Sequence, residues 1–230
     1  MTKKAAWILA LVLCLCFIGW TAAVVFVDVQ AIGPEGSQVG LATMNAWARR
    51  VTGVEAAEGG MRPFWYKLTN GLGYVSLIVA LLFALLGLCQ LVRRRGLARM
   101  DRELLMLGLF YVLLLGCYVL FEKVIVNYRP VMITAADGLE ASYPSSHTML
   151  ACFIFATAMM QLPRLVKSPA LRGLGKLVCA AIIAVAVVGR LLSGVHWLSD
   201  IIGGVLLSAA LVALYAAATQ SAYKPRHGKA

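Results

Sequence analysis

The chain has 230 residues, 61% of them hydrophobic and only 13% charged, with a mean hydropathy of +0.84 and a formal net charge of +11. A water-soluble domain of this length has no use for so much apolar surface, so the composition excludes that class and points to a membrane protein. The positive charge does not point to nucleic acid, because Lys and Arg flank the apolar runs and no basic helix carries interleaved aromatics for base stacking; anionic lipid head groups are the expected partner.

Six apolar stretches approach or reach the roughly 20 residues that cross a bilayer: 6–27, 71–92, 104–122, 148–163, 177–193 and 199–218. They predict an all-α integral membrane fold with six transmembrane helices. The whole chain, 1–230, reads as one membrane-embedded domain, ending in a tail at 219–230. The first stretch follows Lys3 and Lys4 and is longer than the apolar part of a cleaved signal, so it reads as an uncleaved anchor. Cys14, Cys16, Cys89, Cys117, Cys152 and Cys179 all lie in apolar stretches without metal-ligand spacing and read as packing residues.

Basic residues set the expected orientation. Lys3 and Lys4, the group from Arg93 to Arg102, the group from Arg164 to Lys176, and Lys224, Arg226 and Lys229 all fall on one side of a six-span chain. The positive-inside rule makes that side cytoplasmic, with both termini, and places the protein in the inner (plasma) membrane. The opposite face receives 28–70, 123–147 and 190–198. Within 28–70, Gly33, Pro34 and Gly36 break regular structure. Leu41, Met44, Ala48 and Val51 then recur at helical spacing with Trp47 nearby and Arg49-Arg50 opposite, which predicts a short amphipathic interfacial helix between the first and second spans. Phe64-Trp65-Tyr66 reads as an interfacial aromatic belt.

Three groups of residues on that outer face carry chemistry. The first is Lys123 with Arg129-Pro130, after the third stretch. The second is Tyr143-Pro144-Ser145-Ser146-His147, where either serine can cap the fourth helix and the unpaired N–H groups form an anion site. The third is Arg190, His196 and Asp200, a titratable trio between two apolar runs. Ionisable groups in such places are costly and mark function. Spacing i,i+4 lets Asp200 accept from one ring nitrogen of His196 and leaves the other free as nucleophile or base. Together the groups supply a phosphate clamp, a nucleophile and a proton donor, the set that phosphoryl transfer needs.

These residues resemble the three motifs of the type-2 phosphatidic acid phosphatase superfamily: Lys-x6-Arg-Pro, Pro-Ser-Gly-His and Ser-Arg-x5-His-x3-Asp. Here they read Lys123-x5-Arg129-Pro130, Pro144-Ser145-Ser146-His147 and Gly189-Arg190-x5-His196-x3-Asp200. The resemblance implies a membrane lipid phosphatase with its motif core at about 120–200. His196 would attack phosphorus and form a phosphohistidine, Asp200 would support it, and His147 would protonate the leaving oxygen. Arg129, Arg190, Ser145, Ser146 and Lys123 would bind the phosphate. It implies no metal and no other cofactor. The substrates it implies are undecaprenyl diphosphate, phosphatidylglycerol phosphate or phosphatidate; an outward-facing site, suited to recycling a cell-wall carrier, puts undecaprenyl diphosphate first. A lipid phosphotransferase using the same phosphohistidine and a non-catalytic lipid-phosphate transporter are the alternatives.

The sequence departs from the family at three positions. Ser146 replaces a glycine and Gly189 a serine. The first motif is one residue short, which on a regular helix puts Lys123 and Arg129 roughly 120° out of phase. Two accounts of Lys123 stay open: a helix end lets it swing into the site, or it points to the interface while Glu122 orients Arg129.

Overall fold

A computed structural model describes residues 2–133 and 138–220. Its helices are α1 (Lys3–Phe26), α2 (Ala42–Val51), α3 (Pro63–Arg94), α4 (Arg102–Lys123), α5 (Ser146–Leu165), α6 (Pro169–Ser193) and α7 (Leu198–Thr219), and no strand occurs among the described residues. All except α2 are long and apolar enough to cross a membrane, giving the six spans expected. The tail residues Lys224, Arg226 and Lys229 lie outside the described residues.

Local chemistry explains where the helices start and stop. Pro63 and Pro169 occupy first-turn positions, where the missing N–H has no helical partner to lose. Ser168 caps α6 by accepting from the Leu171 N–H at 3.4 Å. Both α3 and α6 begin about eight residues before the apolar stretches did. The first two turns mix apolar residues with charged and polar ones, such as Lys67, Thr69 and Asn70 in α3 and Arg172 and Lys176 in α6, which a hydropathy criterion passes over, but they complete the backbone hydrogen bonding that a membrane demands. As a result Phe64-Trp65-Tyr66 lies inside α3.

α5 and α7 form the centre of the bundle. In each, 56% of the spanning window is buried, against 6–22% for the other four spans. α4 packs on them through Leu107, Phe110 and Leu114, which meet Phe153 of α5 and Leu211 and Tyr215 of α7. Phe110 and Tyr215 stand edge to face at 5.8 Å. At the end carrying the 93–102 and 164–176 basic groups, an Arg164–Glu103 ion pair ties α5 to α4, and Tyr215 donates to the Glu103 carbonyl at 3.1 Å. Large apolar residues such as Leu11, Leu81, Val112 and Leu177 cover the outside, as a bilayer solvent requires.

α2 forms where the sequence placed it, but it turns a different face inward. Ala42, Asn45 and Ala48 are buried toward the start of α7, whereas Trp47 and Val51 are exposed. The deciding residue is Asn45, whose amide finds partners only against the protein.

Candidate active site

His196 sits in the tight turn joining α6 to α7. Gly194 makes the turn in the left-handed region (φ +80°), and a Cβ there would lie 2.4 Å from the Gly60 carbonyl oxygen. The segment between α1 and α3 holds this turn. Arg49 donates to the Gly194 carbonyl at 2.9 Å and lies over the Trp197 ring at 5.5 Å; the Arg62 N–H donates to the Ser193 carbonyl at 3.0 Å. From the side, Trp197 Nε1 donates to the Tyr128 carbonyl at 2.8 Å.

Asp200 occupies the first turn of α7. Its Oδ2 accepts from the Trp197 N–H at 2.9 Å, closing the N-terminus of the helix, and its Oδ1 accepts from Asn127 Nδ2 at 3.1 Å. His196 Nδ1 lies 3.7 Å from Asp200 Oδ2, too far for a hydrogen bond. The two residues are neighbours, though not through helical i,i+4 spacing. His196 precedes the helix, and the acid reaches back toward it because it caps the same turn. Neither ring nitrogen of His196 has a hydrogen-bond partner among the described residues.

Burial, with the charges of Arg129 and Arg190, holds the His196 imidazolium well below the usual histidine range. The ring is therefore neutral at neutral pH, with a lone pair to offer. The same fact fixes a pH dependence of stability. Unfolding lets His196 take up a proton, near pH 6.5, that the native ring refuses, so stability is lost as pH falls below about 6.5. The melting temperature of the detergent-solubilised protein should drop between about pH 7.5 and 5.5, and His196→Gln should flatten that drop. An unchanged slope would show that the ring is not held neutral.

His147 lies in the first turn of α5, against α3 at Gly73, where a Cβ would come within 2.8 Å of the ring. Its Nδ1 is 3.1 Å from Arg190 Nη2. Arginine only donates, so Nδ1 accepts and the neutral ring carries its proton on Nε2. Arg190, 1% exposed, is itself fixed by Thr69 Oγ1 at 3.0 Å and Asn70 Oδ1 at 2.8 Å, and it lies over the Tyr66 ring at 5.5 Å. Ser145 occupies the N-cap position of α5, but its buried hydroxyl has no partner; its N–H donates to the Asp200 carbonyl at 3.0 Å. Arg129 comes from the loop between α4 and α5. Its Nε pairs with Glu140 Oε2 at 2.6 Å, so Glu140 rather than Glu122 orients it.

Arg129, Arg190, Ser146 and His147, together with Asn70 and Glu140, line the polar mouth of a cavity of about 800 Å³, whose remainder is walled mainly by apolar and aromatic residues such as Leu77, Leu114 and Tyr111. His196 adjoins a small separate space that shares Tyr118, Ser146 and Met149 with this cavity. Lys123 is not brought in. α4 runs regularly to it, its side chain is exposed, and it lines neither space. Among the described residues no three His, Cys, Asp or Glu side chains gather as metal ligands.

Sequence reasoning missed Asn127, Glu140, Thr69, Asn70 and the inward position of Tyr66. Thr69-Asn70 offered a signal, a polar pair directly before the second apolar stretch. Asn127 and Glu140 offered none. The structure also explains the glycine at 189. Its Cβ would lie 2.8 Å from Thr69 Cγ2 and 3.1 Å from Trp65 Cε3, so the close α3–α6 approach that places Thr69 beside Arg190 leaves no room for a serine. Gly189→Ser should lower stability by about 1–3 kcal/mol, read as a falling melting temperature. An unchanged melting temperature would mean that the helices separate freely.

Three comparisons bear on this arrangement. None of the curated proteins matches the sequence. Among solved structures, the fold is similar to that reported as the crystal structure of the first transmembrane PAP2 type phosphatidylglycerolphosphate phosphatase from Bacillus subtilis. The TM-score is 0.65 at 17% identity, covering 95% of this chain and 99% of that one. The family model of the PAP2 superfamily matches residues 59–224, a span that contains every residue at the cavity mouth together with His196 and Asp200, and by that match the chain belongs to the PAP2 superfamily.

Proposed function

We propose that the protein is a lipid phosphatase that removes phosphate from a lipid phosphate or diphosphate through a phosphohistidine on His196. The observation that carries this reading is the cavity: two arginines and a histidine at a polar mouth, opening into an apolar space between spanning helices. A phosphate fits the first part and a lipid tail the second.

The chemistry follows from the named atoms. Arg129 and Arg190 present donors in planar forks that suit phosphate oxygens and offset the charge that builds at phosphorus. His196 Nε2 attacks phosphorus while the bond to the lipid oxygen breaks. The ring becomes cationic, and its Nδ1–H faces Asp200 Oδ2. When the phosphate takes over the Arg190 fork, His147 Nδ1 is released and takes up the proton of the monoanionic substrate phosphate, and the cationic ring passes a proton to the leaving oxygen and returns to neutral. Water then attacks the phosphohistidine, His147 takes its proton, and inorganic phosphate leaves.

The test is phosphate release by the purified protein from undecaprenyl diphosphate, phosphatidylglycerol phosphate and phosphatidate, with excess chelator present. Turnover of at least one without metal is expected, because the arginines supply the charge that a metal would bring. Loss with chelator and recovery with Mg²⁺ would sink the mechanism. Transfer to an added lipid alcohol with no free phosphate would identify a phosphotransferase. Binding without turnover of any of the three would identify a carrier. The basic groups at 93–102 and 164–176 support a cytoplasmic position for their end and an extracytoplasmic site. In a cysteine-free background, an impermeant thiol reagent on intact cells should label Glu55→Cys and spare Lys167→Cys.

A further inference from the structure

Asp200 is held by more than its own helix. Three buried polar side chains from separate segments meet behind it: Asn45 of α2, Asn127 of the α4–α5 loop and Ser199 of α7, at 0%, 1% and 0% exposure. Amides in such a place are costly unless every group is paired. Here they are paired. Asn45 Nδ2 donates to the Gly40 carbonyl and to Ser199 Oγ, each at 2.9 Å, and Asn45 Oδ1 accepts from the Ser199 N–H at 3.0 Å. Asn127 Oδ1 accepts from the Gly40 N–H at 3.3 Å. That contact settles which way the amide faces. A backbone N–H needs an oxygen opposite it, so the NH₂ end of Asn127 must point the other way, to Asp200 Oδ1 at 3.1 Å and Ser199 Oγ at 3.4 Å.

The result is a carboxylate with little freedom to turn. Asn127 holds Oδ1, the Trp197 N–H holds Oδ2, and the free side of Oδ2 is turned to His196 Nδ1 at 3.7 Å. We propose that Asn127 is a positioning residue for Asp200, fixing the carboxylate so that Oδ2 meets the His196 ring as it takes on charge, with Asn45 and Ser199 as its support. The inference rests on the phosphohistidine reading above, and it makes the segment that carries α2 part of the reaction machinery.

The experiment uses the full chain in mixed micelles with whichever of undecaprenyl diphosphate, phosphatidylglycerol phosphate and phosphatidate it hydrolyses fastest. Asn127→Leu keeps the volume and removes the donor. It should lower kcat about 10–100-fold, the range for losing a hydrogen bond to a charged group, and leave KM within about twofold. In an Asp200→Asn background the same change should cost less than about twofold, because the group it acts through is already gone. A brace that merely stiffens the fold would cost the same in both backgrounds, and equal losses overturn the proposal. If Asn127→Leu does not fold, Asn127→Asp decides. Its protonated acid can donate to Asp200 as the amide does, so its kcat relative to wild type should rise as pH is lowered from about 8 to about 5.5. A flat ratio overturns the proposal. Equal losses beside a slow Asp200→Asn protein would leave the reaction reading standing. A wild-type rate for Asp200→Asn would remove that reading and this proposal together.

Discussion

His196→Ala is expected to release phosphate at least about 10⁴-fold more slowly than wild type, with its spans still formed. The ring nitrogens of His196 have no hydrogen-bond partner among the described residues, so its removal breaks no bond of the resting fold. No neighbour replaces it, because His147 serves as the proton donor in the same step and the Ser145 hydroxyl has no base against it. The wild-type protein, quenched in mid-turnover, should carry an acid-labile phosphate that the variant lacks. His147→Ala should be slowed about 10²–10⁴-fold, the usual worth of a general acid. A His196→Ala protein within about tenfold of wild type would dismiss histidine as the nucleophile.

Arg129→Ala should cost at least about 3 kcal/mol in kcat/KM, whereas Lys123→Ala should cost no more than about 1 kcal/mol. Both residues belong to the first motif, and a motif reading gives them equal standing. The structure separates them. Arg129 stands at the cavity mouth, with its fork held by Glu140, and a fixed planar fork can bind two phosphate oxygens at once. Lys123 ends α4 in an exposed position, and the chain leaves the helix at Val124. Equal losses for the two variants, at wild-type expression, would show that the lysine reaches substrate after all.

That contrast shows what a sequence of this kind discloses. The six spans were legible because apolar length and flanking charge are signals along one dimension. The motif residues were legible because their types are costly in a membrane. The short motif spacing left two accounts of Lys123 open, and in the structure it is exposed and lines neither space. Helical phase governs the chain only to residue 123, and the irregular path to Arg129 is set by its pairing with Glu140. The His196–Asp200 relation was legible as a pair and misread in form, since sequence distance alone does not distinguish a helix face from a helix cap. The supports of the site were not legible. Asn127 meets an acid 73 positions away, and Thr69 an arginine 121 away. An isolated Asn or Thr gives no sign of which distant partner it will find. α2 was found by its apolar spacing and turned by a buried amide that such spacing ignores.

The cavity has a further consequence for how turnover must be measured. Tyr74, Leu77 and Leu81 of α3 and Leu115 and Tyr118 of α4 line it and are also exposed, by 41–69%. Its side wall is therefore open to the surrounding hydrocarbon between these two helices. A substrate that comes in this way searches a surface, without passing through water. The quantity that sets its encounter rate is then its mole fraction in the bilayer. Adding inert lipid at fixed total substrate should slow the reaction, and adding buffer should not.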